Sequence, residues 1–181
     1  MEYFNWKSMN DIEVHDNFLD YRHYHVLKTA FCSESAYRAP FFYTGAIVSH
    51  DNLNHDYNFQ FTHVLIGDVG DKEVQSPYWK NLFPIFDKLN VQRVLRAKVN
   101  MRTRTPEIYE SKMHIDVRQK IEGHKTAIYY LNTNDGYTLF ETGKKVQSVG
   151  NRLVLFDGQL YHCGTSCTDQ NIRSVLNLNF I

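Results

Sequence analysis

The sequence predicts a mainly β fold, a jelly roll of two sheets (a double-stranded β-helix) with supporting α-helices on its N-terminal side. Three observations predict it. From Val94 onward the apolar period is two. That stretch is divided by the turn signals Asn134-Asp135-Gly136, Thr142-Gly143, Gly150-Asn151 and Asp157-Gly158. Before it, two segments carry apolar residues at helical spacing. The chain has 181 residues, 43% of them apolar and 14% aromatic, so a single domain with a sizeable core is expected. Residues 1–92 would be the helical and strand support region and residues 93–181 the jelly-roll core.

The first helix is expected over Asn17 to Cys32, with Leu19, His23, Val26, Leu27 and Ala30 on one face and Asp16 as its N-cap. His50 to Asn58 reads as a polar loop and Gln60 to Ile66 as a strand. A second helix is expected over Pro77 to Asn90. Ser76 would cap it, Pro77 suits its first position, and Trp79, Leu82, Phe83, Phe86 and Leu89 would form its buried stripe, with a kink at Pro84. In Val94 to Thr103, Leu95, Ala97, Val99 and Met101 alternate with Arg96, Lys98, Asn100 and Arg102. The polar side faces either the mouth of the barrel or solvent. Further strands are expected at Lys112–Val117, Lys125–Asn132, Tyr137–Glu141, Lys145–Val149, Arg152–Phe156, Leu160–Cys163 and Ile172–Phe180. Thr103 to Met113 reads as a lid over a substrate or as an ordinary loop.

Charge and composition exclude several classes. Lys+Arg and Asp+Glu balance at 20 each, so no global field attracts nucleic acid or an anionic membrane. No apolar run is long enough to span a bilayer. The opening MEYFNWKSMNDIEV has neither a basic flank nor an apolar core, so no secretory signal is expected. Cys32, Cys163 and Cys167 are an odd, sparse set, which suggests reduced structural thiols and a cytoplasmic setting.

His114-Ile115-Asp116, with His162 and Arg173 downstream, carries the chemistry. On a strand, residues i and i+2 share a face, so His114 and Asp116 can reach one ion. Two imidazoles and a carboxylate give mixed N/O ligation suited to Fe(II) or Mn(II), and not excluding zinc. On residue pattern alone the rival reading is a strand cap, a turn aspartate and a packed histidine. Other histidines are weaker: His23 and His25 diverge on a helix, and His50, His55, His63 and His124 lack partners at convincing spacing. Gly67 to Gly70 is too short for a phosphate loop.

The surroundings of these residues carry a resemblance. Ala127-Ile128-Tyr129-Tyr130-Leu131-Asn132 resembles the I-Y-Y-L-N strand of prolyl hydroxylases. Asp135-Gly136-Tyr137-Thr138-Leu139-Phe140 is similar to their G-G-x-T-x-F turn and strand. Val146 to Phe156 resembles their V-x-P-x-x-G-x-L-x-x-F stretch, and Arg173-Ser174-Val175-Leu176-Asn177 their final strand. Val14 to Leu19 resembles the opening of such domains. The chain thus resembles the 2-oxoglutarate/Fe(II)-dependent oxygenases of the prolyl-4-hydroxylase-like type, and within them the small versions encoded by T4-like marine phages. A phage origin would place it in the host cytoplasm.

The resemblance implies that His114, Asp116 and His162 bind Fe(II). It implies that Arg173 pairs with the distal carboxylate of 2-oxoglutarate, that Tyr130 donates to the same carboxylate, and that Thr138 lines the co-substrate pocket. It implies hydroxylation by O2, with decarboxylation of 2-oxoglutarate to succinate and stimulation by ascorbate. Asp116 distinguishes a hydroxylase from a halogenase, which would carry a small residue there. Three positions depart from the pattern: Val175 stands where R-x-S has its serine, Asn179 where an aromatic is common, and Ser111 where a tyrosine is common. The implied substrate is a peptidyl proline or other protein side chain, or a free small molecule. A jelly-roll module that binds metal or ligand without chemistry stays open. No nucleic-acid or membrane partner is expected, and nothing in the sequence assigns an oligomeric state.

Overall fold

The computed structural model describes residues 12–33, 38–48, 57–67 and 74–181. In chain order these contain β1 (Glu13–His15), α1 (Tyr21–Cys32), β2 (Phe42–Thr44), β3 (Gln60–Ile66), a 3-10 helix (Pro77–Leu82), α2 (Phe83–Leu89), β4 (Val94–Thr103), β5 (Lys125–Tyr130), β6 (Tyr137–Phe140), β7 (Lys145–Gln147), β8 (Leu153–Asp157), β9 (His162–Gly164) and β10 (Ile172–Phe180). The strands form a seven-stranded sheet, ordered β1-β8-β5-β10-β4-β3-β2, and a three-stranded sheet, β7-β6-β9. Neighbouring strands pair antiparallel throughout. This is the jelly roll that the alternating pattern predicts, with its helices packed on the larger sheet.

Burial on both faces explains the near-continuous apolar runs of β5 and β8. On the outer face Ala127, Tyr129, Leu153, Leu155, Leu176, Leu178 and Phe180 pack with Leu27, Ala30 and Phe31 of α1 and Ile85 and Leu89 of α2. On the inner face Ile128, Tyr130, Val154, Phe156 and Val175 meet Phe140 and Val146 of the smaller sheet. Each large side chain so buried contributes roughly 1.5–3 kcal/mol relative to exposure. The polar row of β4 turns to this inner side, so it lines the barrel interior rather than an outer surface.

The helices depart from their expected limits. α1 starts at Tyr21, capped by Asp20, whose side chain accepts from the His23 backbone. Asp16 instead pairs with Arg152, at 2.6 Å to Nε. Leu27, Ala30 and Phe31 are the buried face, while Val26 is 47% exposed and His23 is also exposed. The second segment is split: its first part is 3-10, and Pro84 sits in the first turn of α2 rather than kinking a continuous helix. Three residues per turn rather than 3.6 shifts the stripe, so Ile85 is buried and Phe83 is not. Lys112 to Val117 is not a strand. Within it only His114 forms a backbone bridge, to His162, and Glu110 just before it bridges Thr165. Of the remaining expectations, residues 1–11, 50–56 and 68–70 lie outside the described residues.

Asn151 ties the α1 region to the barrel. Its φ of 65° lies in the left-handed region, which asparagine tolerates. Its Oδ1 accepts from the Leu19 backbone at 2.9 Å and from the Tyr129 hydroxyl at 2.8 Å, and its Nδ2 donates to the Leu19 carbonyl at 2.8 Å. Asn151→Ala should therefore destabilise the protein by roughly 2–4 kcal/mol, because buried partners lose their bonds. Chemical denaturation checks this; a loss below about 1 kcal/mol, the net worth of one ordinary bond, would contradict the tie.

Candidate active site

One backbone exchange sets the centre. The His114 amide donates to the His162 carbonyl at 2.9 Å, and the His162 amide to the His114 carbonyl at 3.0 Å. Directly opposed residues send their side chains to the same face, and the two imidazole centroids are 5.0 Å apart. Asp116 follows two residues later on the same side. Its carboxylate lies 3.9 Å from His114 Nε2 and 3.8 Å from His162 Nε2. One ligand atom from each of the three lies within 4.8 Å of the others.

The protonation pattern suits a metal. His114 Nδ1 sits 2.9 Å from the Lys112 carbonyl and His162 Nδ1 3.1 Å from the Leu160 carbonyl. A carbonyl only accepts, so each Nδ1 carries the proton and each Nε2 keeps its lone pair. His162 Nε2 is buried with no hydrogen-bond partner, as expected of a nitrogen placed for an ion. Burial lowers the His162 pKa despite the nearby Asp116 charge, which favours neutral imidazole. Burial alone would raise the Asp116 pKa. The Arg96 charge is the largest influence opposing it, protonation of His162 or His114 would add to that, and the carboxyl is held well below the usual range. Arg96 Nη2 donates to Asp116 Oδ1 at 2.7 Å, and the Asn177 and Asn179 amides donate to Oδ2 at 3.4 and 3.3 Å. The donor set, two neutral imidazoles and an ionised carboxylate, fits Fe(II).

A second cluster lines the same cavity. Arg173 is 4% exposed, and its Nε donates to Ser148 Oγ at 2.9 Å. Its Nη2 donates to the Tyr137 carbonyl at 3.2 Å and to Thr138 Oγ1 at 3.4 Å. Tyr130 donates its hydroxyl to Thr138 Oγ1 at 2.8 Å, and the Arg173 guanidinium lies 5.7 Å from the Tyr130 ring centre. Among the described residues no carboxylate pairs with Arg173. His114, Asp116, His162, Thr138 and Arg173 all border one cavity. Every sequence-predicted site residue is thus in one of two adjoining groups.

Other candidates resolve as structure. His63 bonds the Pro40 carbonyl at 2.6 Å and Ser76 Oγ at 2.7 Å. His25 stacks on Tyr21. Cys163 and Cys167 are buried free thiols, and burial pushes Cys163 up to about 11. Thr103 to Met113 is pinned to the 164–167 turn: Thr105 Oγ1 donates to Ser166 Oγ at 2.6 Å, the Tyr109 amide to Ser166 Oγ at 2.8 Å and Ser111 Oγ to the Gly164 carbonyl at 2.8 Å. Sequence reasoning missed the partners Arg96, Asn177 and Asn179 of Asp116, and Ser148 beside Arg173. The signal for the two asparagines was present: they share the i, i+2 row of Arg173.

Solved structures similar to this chain include oxygenases. A 2OG-Fe(II) oxygenase family oxidoreductase from Burkholderia pseudomallei is 12% identical, with a TM-score of 0.67 over 93% of this chain and 84% of that one. A prolyl-4-hydroxylase from Pseudomonas putida is 13% identical, with a TM-score of 0.55 over 94% and 92%. HygX from Streptomyces hygroscopicus, with nickel, 2-oxoglutarate and hygromycin B bound, is 11% identical, with a TM-score of 0.57 over 95% and 83%. At these identities the likeness establishes the fold. No protein-family model matches the sequence, and no curated protein does.

The Arg96–Asp116 pair makes a separable prediction. Asp116 is 3% and Arg96 13% exposed at the side chain, so removing one partner strands a buried charge. Asp116→Ala should cost about 3–5 kcal/mol in the metal-free protein. The Asp116→Ala/Arg96→Met double variant should recover at least about half of that loss. Urea denaturation of the three proteins decides it; additive losses would show that the pair is not coupled.

Proposed function

We propose that this chain is a 2-oxoglutarate- and Fe(II)-dependent dioxygenase that hydroxylates an unactivated C–H bond. The observation that carries the reading is one cavity with two poles. At one pole, two imidazole Nε2 lone pairs and an ionised carboxylate converge. At the other lies a buried arginine with no carboxylate of its own among the described residues. A dicarboxylic 2-oxo acid has the complementary charge pattern. We take residues 1–181 as one oxygenase domain, with 1–92 as support and 93–181 as the catalytic core.

Each residue then has a stated task. His114, Asp116 and His162 would hold Fe(II). Bound iron and 2-oxoglutarate would supply O2 activation coupled to decarboxylation to succinate, with ascorbate keeping the metal reduced. Arg173 would orient the distal carboxylate through its planar fork. Thr138, held by the Tyr130 hydroxyl, lines that end and can turn its own hydroxyl toward the carboxylate. Arg96, Asn177 and Asn179 fix the Asp116 carboxylate so that it need not reorganise on binding.

For the substrate we favour a peptidyl proline or another protein side chain, with a free small molecule as the second reading. Both kinds occur among proteins of this fold: a prolyl-4-hydroxylase and the hygromycin B-bound HygX. No nucleic-acid partner is proposed, since acidic and basic residues balance at 20 each. Among the described residues no helix is long and apolar enough to cross a membrane, and we propose a cytoplasmic enzyme.

Purified protein with Fe(II), ascorbate and O2 should convert 2-oxoglutarate to succinate, with turnover reduced at least about a thousandfold in His114→Ala and Asp116→Ala, since removing a ligand opens the site. Succinate measured by mass spectrometry checks this. Normal metal binding with no succinate across a broad panel of peptides and small molecules would favour the non-catalytic binding module.

A further inference from the structure

Two arginines close the end of the cavity away from the histidines. Arg102 on β4 and Arg173 on β10 are direct cross-strand partners, so both side chains leave the sheet on its inner face. They are 5% and 4% exposed, and both border the cavity. Gly164 lies close to both. A Cβ added there would sit 3.4 Å from Arg173 Nη1, and Arg102 Nη1 donates to the Gly164 carbonyl at 3.4 Å. Among the described residues neither arginine has a carboxylate partner.

Such a pair is costly as it stands. Like charges opposed across a sheet repel, and a buried charge without a counter-ion is unfavourable. Arg102 is also weakly compensated. Its bonds to the carbonyls of Tyr109, Gly164 and Tyr57 are 3.4, 3.4 and 3.5 Å, at the long limit. The Tyr109 ring adds a cation–π contact at 5.1 Å. Burial, and then the Arg173 charge, push Arg102 down to about 10, so it stays charged at neutral pH. An anion placed between the guanidiniums removes both penalties at once.

We propose that Arg102 and Arg173 form a two-guanidinium clamp on a single carboxylate, the distal one of the 2-oxo dicarboxylic acid, with Arg102 as a second anchor that selects for that group. The inference rests on the oxygenase reading of the site. Position supports it: on β4 Arg96 touches Asp116, on β10 Asn177 and Asn179 do, and the arginine pair ends both inward rows. The co-substrate would then lie along these rows, its 2-oxo acid end toward Asp116 and its distal end between the arginines.

The test is calorimetric binding of 2-oxoglutarate and of 2-oxovalerate, which lacks the distal carboxylate, to Mn(II)-loaded protein. Wild type should prefer 2-oxoglutarate strongly. Arg102→Met should weaken 2-oxoglutarate binding by about tenfold to a hundredfold, the worth of a charged hydrogen bond, and leave 2-oxovalerate unchanged. Arg102→Lys should recover part of the loss. The metal-free Arg102→Met protein should melt no lower than wild type, because a like-charge contact has been relieved. If wild type prefers 2-oxoglutarate and Arg102→Met binds it equally well, the clamp is wrong and the oxygenase reading stands. Equal weakening of both acids with a lower melting temperature assigns Arg102 a structural role instead. No preference in wild type overturns the oxygenase reading, and the clamp with it.

Discussion

Strand β10 is buried on both faces, and its register against β4 and β5 governs everything at the site. Its odd-numbered row, Arg173, Val175, Asn177 and Asn179, turns into the barrel. Its even-numbered row, with Leu176, Leu178 and Phe180, packs against the helices. A slip of one residue would exchange the two rows, sending the guanidinium into the apolar layer and leucines into the cavity. The apolar core therefore fixes the register, and the register places the polar groups. Fold stability and site geometry are one constraint here, carried by opposite faces of the same strand.

The inner face concentrates charge in a way the outer face does not. Asp116 sits among Arg96 and two histidines, and Arg102 and Arg173 close the far end. Paired neutralisation holds near Asp116 and fails at the arginine pair. That asymmetry marks where an anion belongs. The overall charge balance of the chain conceals it, since 20 acidic and 20 basic residues say nothing of where each is aimed.

Much of this was legible in the sequence. The period of two from Val94 and the turn residues predicted the jelly roll, while the spacing of His114, Asp116, His162 and Arg173 left a rival reading, and the resemblance of the surrounding segments pointed to the residues that converge. β3, β4 and β10 fall on their expected limits, because long alternating runs leave little freedom. The H-x-D segment was misread as a strand: one hydrogen-bonded pair, His114 with His162, does the positioning, and a single bridge leaves no periodic trace. Helix phase was lost at Pro77 to Leu82, where 3-10 geometry rotates each residue further per step. Cross-strand partners were illegible in principle. Nothing local says that Arg102 faces Arg173, or that Arg96 meets Asp116 across the barrel.

The most direct test of the account is a crystal structure of the protein with Mn(II) and an inert 2-oxoglutarate analogue. The account predicts one ion bound by His114 Nε2, His162 Nε2 and an Asp116 oxygen, with the analogue chelating it and its distal carboxylate against Arg173. An ion held by other residues, or an analogue whose distal carboxylate lies away from Arg173, would contradict it.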